Sequence, residues 1–69
     1  MIRAKNQSLK VIRLKAGLFQ KDIAKGIGIS ANAYSVIERG SRAVGGKTAK
    51  AICDYLKINF DDAFEIKEA

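Results

Sequence analysis

The chain has 69 residues, with 13 Lys and Arg against 7 Asp and Glu, a net charge of +6 and a sequence pI near 9.8. That length is read as one domain over residues 1–69 with a small core; 48% apolar residues are too many for a disordered chain, and no apolar run is long enough to cross a bilayer. Without histidine and with Cys53 as the one cysteine, the sequence offers no internal disulfide, no ordinary zinc ligand set and no acid–base pair for catalysis, so neither a metal, a cofactor nor an enzymatic activity is expected.

The charge is distributed unevenly. Residues 1–53 carry a net +9 and residues 54–69 a net −3. A polyanion is the natural partner of the first stretch, and the acidic stretch is expected to face something else. No signal-peptide pattern opens the chain, which reads as cytoplasmic.

In chain order, Asn6 to Ala16 places Leu9, Ile12 and Ala16 at helical spacing before Gly17 stops the helix. Gln20 to Ile27 sets Ile23, Ala24 and Ile27 against Lys21, Asp22 and Lys25, the pattern of an amphipathic second helix. Gly26 inside it costs about 1 kcal/mol relative to Ala. After a turn at Gly28, Ser30 caps a third helix, Ala31 to Arg39, with Tyr34 and Ile37 inward and Ala31, Asn32, Ser35 and Val36 on its other side. Lys47 to Lys57 is predicted to bury Ala49, Ile52, Cys53 and Leu56. Asn59, with Asp62 three residues on, starts a last short helix whose Phe60 and Phe64 fold back on the core. No segment of 4–8 residues alternates cleanly, so strands are not expected, and the fold class is all-α, a bundle of about five short helices.

Gln20 to Ile27, the Gly28-Ile29 turn and Ser30 to Arg39 have the layout of a DNA-binding helix-turn-helix. Ala24 is small where the two helices must cross closely, Gly28 permits a left-handed turn, and Ile29 can plug the space beneath it. Many helical hairpins share this spacing, so a purely structural hairpin is the alternative at this point. Base reading would fall to Ala31, Asn32, Ser35 and Val36. The Asn32 amide can give and take one hydrogen bond each with adenine, while Ala31 and Val36 offer apolar contact to a thymine methyl. A solvated polar residue near a helix start is the other reading of Asn32. Arg39, Ser41 and Arg42 suit phosphate contacts, and Lys21 and Lys47 are further candidates whose alternative is a charged surface that aids solubility.

The strings Gly17-Leu18-Phe19-Gln20-Lys21-Asp22-Ile23-Ala24, Gly28-Ile29-Ser30 and Tyr34-Ser35-Val36-Ile37-Glu38-Arg39-Gly40 resemble the phage repressor and Cro-like (XRE-type) family of helix-turn-helix regulators. Asn59 to Phe64 also looks like that family's closing segment, so the resemblance runs from Leu9 through Phe64. It implies a lambda-repressor-like domain that binds double-stranded DNA and regulates transcription, usually as a repressor, on a two-fold operator. It further implies that Gln20 braces the recognition helix and touches a phosphate, and that Arg13 pairs with Glu38 as a structural ion pair. Two positions depart from the family. Phe19 stands where a Thr or Ser usually caps helix two, so its ring is expected to turn toward the core instead. Val44-Gly45-Gly46 replaces the proline before helix four, which predicts a loop that is mobile or approaches DNA closely. Such families also include antirepressors and antitoxin components, so a protein partner at the acidic C-terminal helix is the alternative function. A weak homodimer through that helix or the loop before it is also expected, since one domain reads few base pairs.

Overall fold

In the computed structural model, which describes residues 1–68, five helices and two short strands follow one another as β1 (Ile2–Ala4), α1 (Ser8–Lys15), α2 (Gln20–Ile27), α3 (Ala31–Glu38), α4 (Gly46–Leu56), α5 (Phe60–Ala63) and β2 (Phe64–Ile66). The core contains Leu9 of α1, Ile23 and Ala24 of α2, Tyr34 and Ile37 of α3, and Ala49, Ile52 and Cys53 of α4, closed from the ends of the chain by Ala4 and Phe64. In α2, α3 and α4 the apolar stripe that the spacing defines faces the core, which is what keeps helices of 8 to 11 residues, marginal by themselves in water, in place. Burial also pushes the Cys53 thiol up, so it behaves as a small hydrophobe.

Local chemistry sets the helix ends around α2 and α3. The Phe19 side chain has no acceptor for the orphan N–H groups at the start of α2, but the Asp22 carboxylate turns back and accepts from the Phe19 N–H at 2.8 Å, making half of a capping box. At the other end Gly28 has φ 79°, and the Ile29 N–H donates to the Ala24 carbonyl at 2.9 Å. An L side chain is strained in that left-handed conformation, so the glycine fixes the tight turn. Ser30 Oγ accepts from the Ala33 N–H at 3.0 Å, a cap worth about 1 kcal/mol.

In α1 the expected inward triad is only partly met. Leu9 is buried and Ile12 half-buried, but the helix ends at Lys15, leaving Ala16 exposed as its C-cap; Arg13 takes the second fully inward place. Val44 is also not part of an open loop. It is buried, and its N–H donates to the Ile2 carbonyl at 2.8 Å, so the segment before Gly45-Gly46 is pinned to β1.

The two strands were not expected. β1 and β2 pair antiparallel in the register Ile2 with Ile66, Arg3 with Glu65 and Ala4 with Phe64. Each is three residues long, too short to show a period of two, and each depends on a partner some sixty positions away in sequence. The pair lies across one end of the helical bundle. It is held by Lys5 N–H to the Ala63 carbonyl at 2.8 Å and by Arg3 Nη1 to the Gly40 carbonyl at 2.9 Å, the second bond tying the sheet to the turn that follows α3.

Gly26, costly in a helix, has a packing reason. A Cβ built there would collide with the ring of Tyr55 on α4, so the glycine lets α4 lay an aromatic ring against the backbone of α2. Replacing Gly26 by Ala in the natural background is expected to give no stabilisation despite the better helix propensity. In a Tyr55→Ala background the same change should stabilise by about 1 kcal/mol. Urea melts of the four proteins in this cycle read the coupling; equal effects in both backgrounds would refute the contact's role.

Candidate nucleic-acid interface

The outer stripe of α3 is a direct result of what its inner stripe does. Tyr34, Ile37 and Glu38 face inward, so positions 31, 32, 35 and 36 turn outward at helical spacing: Ala31 and Asn32 are exposed, Ser35 and Val36 half-buried. The first turn of α3, where Ala31 and Asn32 sit, is the part free to approach another surface.

Behind that stripe Glu38 is only 4% exposed and Arg13 of α1 only 8%. Arg13 Nε donates to Glu38 Oε2 at 2.9 Å and Arg13 Nη2 to Glu38 Oε1 at 3.1 Å, a bidentate fork, while Arg13 Nη1 donates to the Leu18 carbonyl at 3.0 Å. Gln20, the first residue of α2, adds its Nε2 to Glu38 Oε1 at 3.3 Å. One carboxylate on α3 is thereby bound from α1 and α2 together. The hydrogen bond that Arg13 donates to Glu38 raises the Arg13 pKa further above its ordinary value, against the desolvation that lowers it, so the guanidinium stays charged. The Arg13–Glu38 ion pair is thus present, and Gln20 is joined to α3 through the same carboxylate.

Tyr34 shares this buried neighbourhood. Its hydroxyl has no hydrogen-bond partner among the described residues, and burial first, then the nearby Glu38 charge, push its pKa up beyond the normal tyrosine range.

The remaining site residues lie around α3. Arg39 is its exposed C-cap; Ser41 and Arg42 follow, both exposed; Lys47 is exposed in the first turn of α4, and Lys21 is exposed in the first turn of α2. Gln20 is half-buried by its bond to Glu38. These positions put cations on the loop after α3 and on the starts of α2 and α4.

Phe19 does not pack as expected. Its ring does not turn to the core; it is 69% exposed, with Lys21 Nζ 5.7 Å from the ring centroid in a cation–π arrangement. Phe19 lines a shallow depression with Arg13, Gln20, Lys21 and Ala31. A second depression, lined by Lys21, Asp22, Ala24, Lys25, Ile29 and Ala31, shares Lys21 and Ala31 with it.

Residues 9–62 match the family model described as helix-turn-helix, and the chain belongs to this helix-turn-helix family. Among solved structures, the restriction-modification controller protein C.AhdI from Aeromonas hydrophila is 27% identical, with a TM-score of 0.74 and 81% of each chain covered. The clp gene regulator ClgR from Corynebacterium glutamicum is 24% identical, with a TM-score of 0.72 over 80% of this chain and 71% of that one. A protein of Bacteroides fragilis provisionally described as DNA-binding is 14% identical, with a TM-score of 0.78 over 94% of this chain and 100% of that one. No curated protein sequence matches the chain. The five-helix bundle with its helix-turn-helix is the lambda-repressor-like fold.

Breaking one side of the buried fork leaves the other charge uncompensated, so Glu38→Ala is expected to destabilise the domain by about 3–5 kcal/mol, whereas an Arg13→Met/Glu38→Leu double variant should recover most of that loss. Chemical denaturation distinguishes them; equal losses in single and double variants would refute the assignment. Tyr34→Phe, which removes only the unpartnered hydroxyl, should change stability by less than about 1 kcal/mol, toward stabilisation. Because the Tyr34 pKa is raised in the folded state, the wild type binds that proton more tightly when folded, and its stability should fall as pH rises above the unfolded tyrosine value of about 10. That alkaline loss should be smaller in Tyr34→Phe.

Proposed function

We propose that this domain binds duplex DNA sequence-specifically as a transcriptional regulator, a cytoplasmic repressor of the phage Cro-like type without enzymatic activity or cofactor. The observation that carries this reading is the outward stripe of α3, braced from behind by Arg13, Gln20 and Glu38 and flanked by exposed cations. α3 fits the major groove, with Asn32 bidentate to adenine and Ala31, Ser35 and Val36 completing base contact. Gln20, Lys21, Arg39, Ser41, Arg42 and Lys47 pair with phosphates on either side and set the register of the helix. One recognition helix reads only a few base pairs, so a two-fold operator bound by two copies, weakly paired through α5 or the loop before it, supplies the affinity.

A protein partner at the C-terminal segment is a second reading. It is favoured by Ile66, 70% exposed at the end of β2, and by Asp61 and Asp62, both exposed on α5. Salt separates the two. Binding to DNA through several phosphates weakens log-linearly with salt, whereas an apolar protein contact hardly responds.

The direct test is selection from random duplexes followed by titration over a range of salt. Asn32→Ala should change the preferred base at one position per half-site, costing about 1–3 kcal/mol there, while Arg42→Ala should weaken all sequences alike and reduce the salt slope by about 1. No complex with any duplex at low salt would overturn DNA binding. Identical behaviour of the two variants would overturn the division of roles.

A further inference from the structure

The depression at Phe19 shares Gln20, Lys21 and Ala31 with the contacts assigned above; the Phe19 ring is the part they leave unassigned, and its chemistry is specific. One wall is apolar, formed by the exposed Phe19 ring and the Ala31 methyl at the start of α3; the rim is polar, formed by Gln20 and by Lys21, which lies over the ring. Asp22, the nearest carboxylate in sequence, is engaged with the Phe19 N–H and so is turned back on its own helix end. An aromatic ring left this far in water forgoes the burial that normally places phenylalanine in a core. Here it sits at the start of α2 and shares a depression with the first residue of α3, so a duplex that receives α3 in its major groove meets this wall too.

The group that fits is small, apolar and attached to a polyanion. In a major groove that is the 5-methyl of a pyrimidine, carried by thymine or by 5-methylcytosine, with a phosphate close by. We propose that Phe19 is a specificity residue: together with Ala31 it forms an apolar slot that reads a pyrimidine 5-methyl group at the edge of each half-site, while Lys21, held over the ring, pairs with the adjoining phosphate. This rests on the DNA-binding reading and adds a base position to it.

The test uses the full chain and its selected operator. Each thymine is replaced in turn by uracil, which removes only the methyl group, and dissociation constants are measured by fluorescence anisotropy for the wild type, Phe19→Ala and Phe19→Ser. The serine restores a helix cap, so at least one variant keeps the fold, as circular dichroism verifies. At one edge position per half-site the wild type should lose about four-fold in affinity on removal of the methyl, the effect of one buried carbon, and both variants should be insensitive there. With cytosine at that position, 5-methylation should restore wild-type affinity if the slot reads the methyl alone; a gain seen only with thymine would place the source in thymine. If the wild type binds DNA but shows no such position, or the Phe19 variants keep the same sensitivity, the slot is refuted while DNA binding stands. If no duplex binds at all, the reading beneath it falls instead.

Discussion

The orientation of α3 depends on one buried ion pair. Arg13 and Glu38 are taken almost entirely out of water, a cost of several kcal/mol per charge that only a well-made, fully hydrogen-bonded pair offsets. The geometry supplies this with two parallel bonds of the fork, a third from Arg13 to the Leu18 carbonyl and a fourth from Gln20 to Glu38. Rotating α3 about its axis would pull Glu38 away from both α1 and α2, stranding a buried charge. The exposed stripe is held at one angle because the opposite side of the same helix cannot turn.

Other parts of the fold support that arrangement without sharing in it. The Gly28 turn brings α2 and α3 together at the small Ala24. Gly26 lets Tyr55 of α4 lie against α2 from another side, exchanging helix propensity for contact. The β1–β2 pair covers the base of the core and, through Arg3 and the Gly40 carbonyl, fixes the turn that carries the chain from α3 toward Ser41 and Arg42. A bond from the sheet thus reaches the loop that holds two of the proposed phosphate contacts.

Most of the helical architecture is legible in the sequence because it is local. Ser30, Gly28 and the spacing of Ile23, Ala24, Tyr34 and Ile37 act within a turn or two, and helix boundaries follow within a residue or two where such signals are present. The Arg13–Glu38 pair joins residues 25 positions apart, and only resemblance to a family identified it beforehand. What was not legible has no local sign. Three-residue strands carry no measurable period, the collision at Gly26 involves a ring on a different helix, and Ala16 falls out of the core because α1 ends one residue earlier than its pattern allows. Phe19 misled for a related reason. Apolarity argues for burial, but whether a pocket exists to receive the ring is decided by the packing of other elements, and here none is offered.

Only two carboxylates occur in the first 53 residues, Asp22 and Glu38, and each is engaged inside the molecule, one by the backbone at the start of its own helix and the other by a guanidinium. Glu38 is neutralised by its guanidinium partner, so Asp22, whose carboxylate keeps its charge, is the one acidic side chain of this stretch left to oppose a polyanion. The outward field of this half of the chain is therefore set by its lysines and arginines with almost nothing to subtract from it, so a net charge that is modest for the whole protein acts on an approaching partner as a considerably larger one.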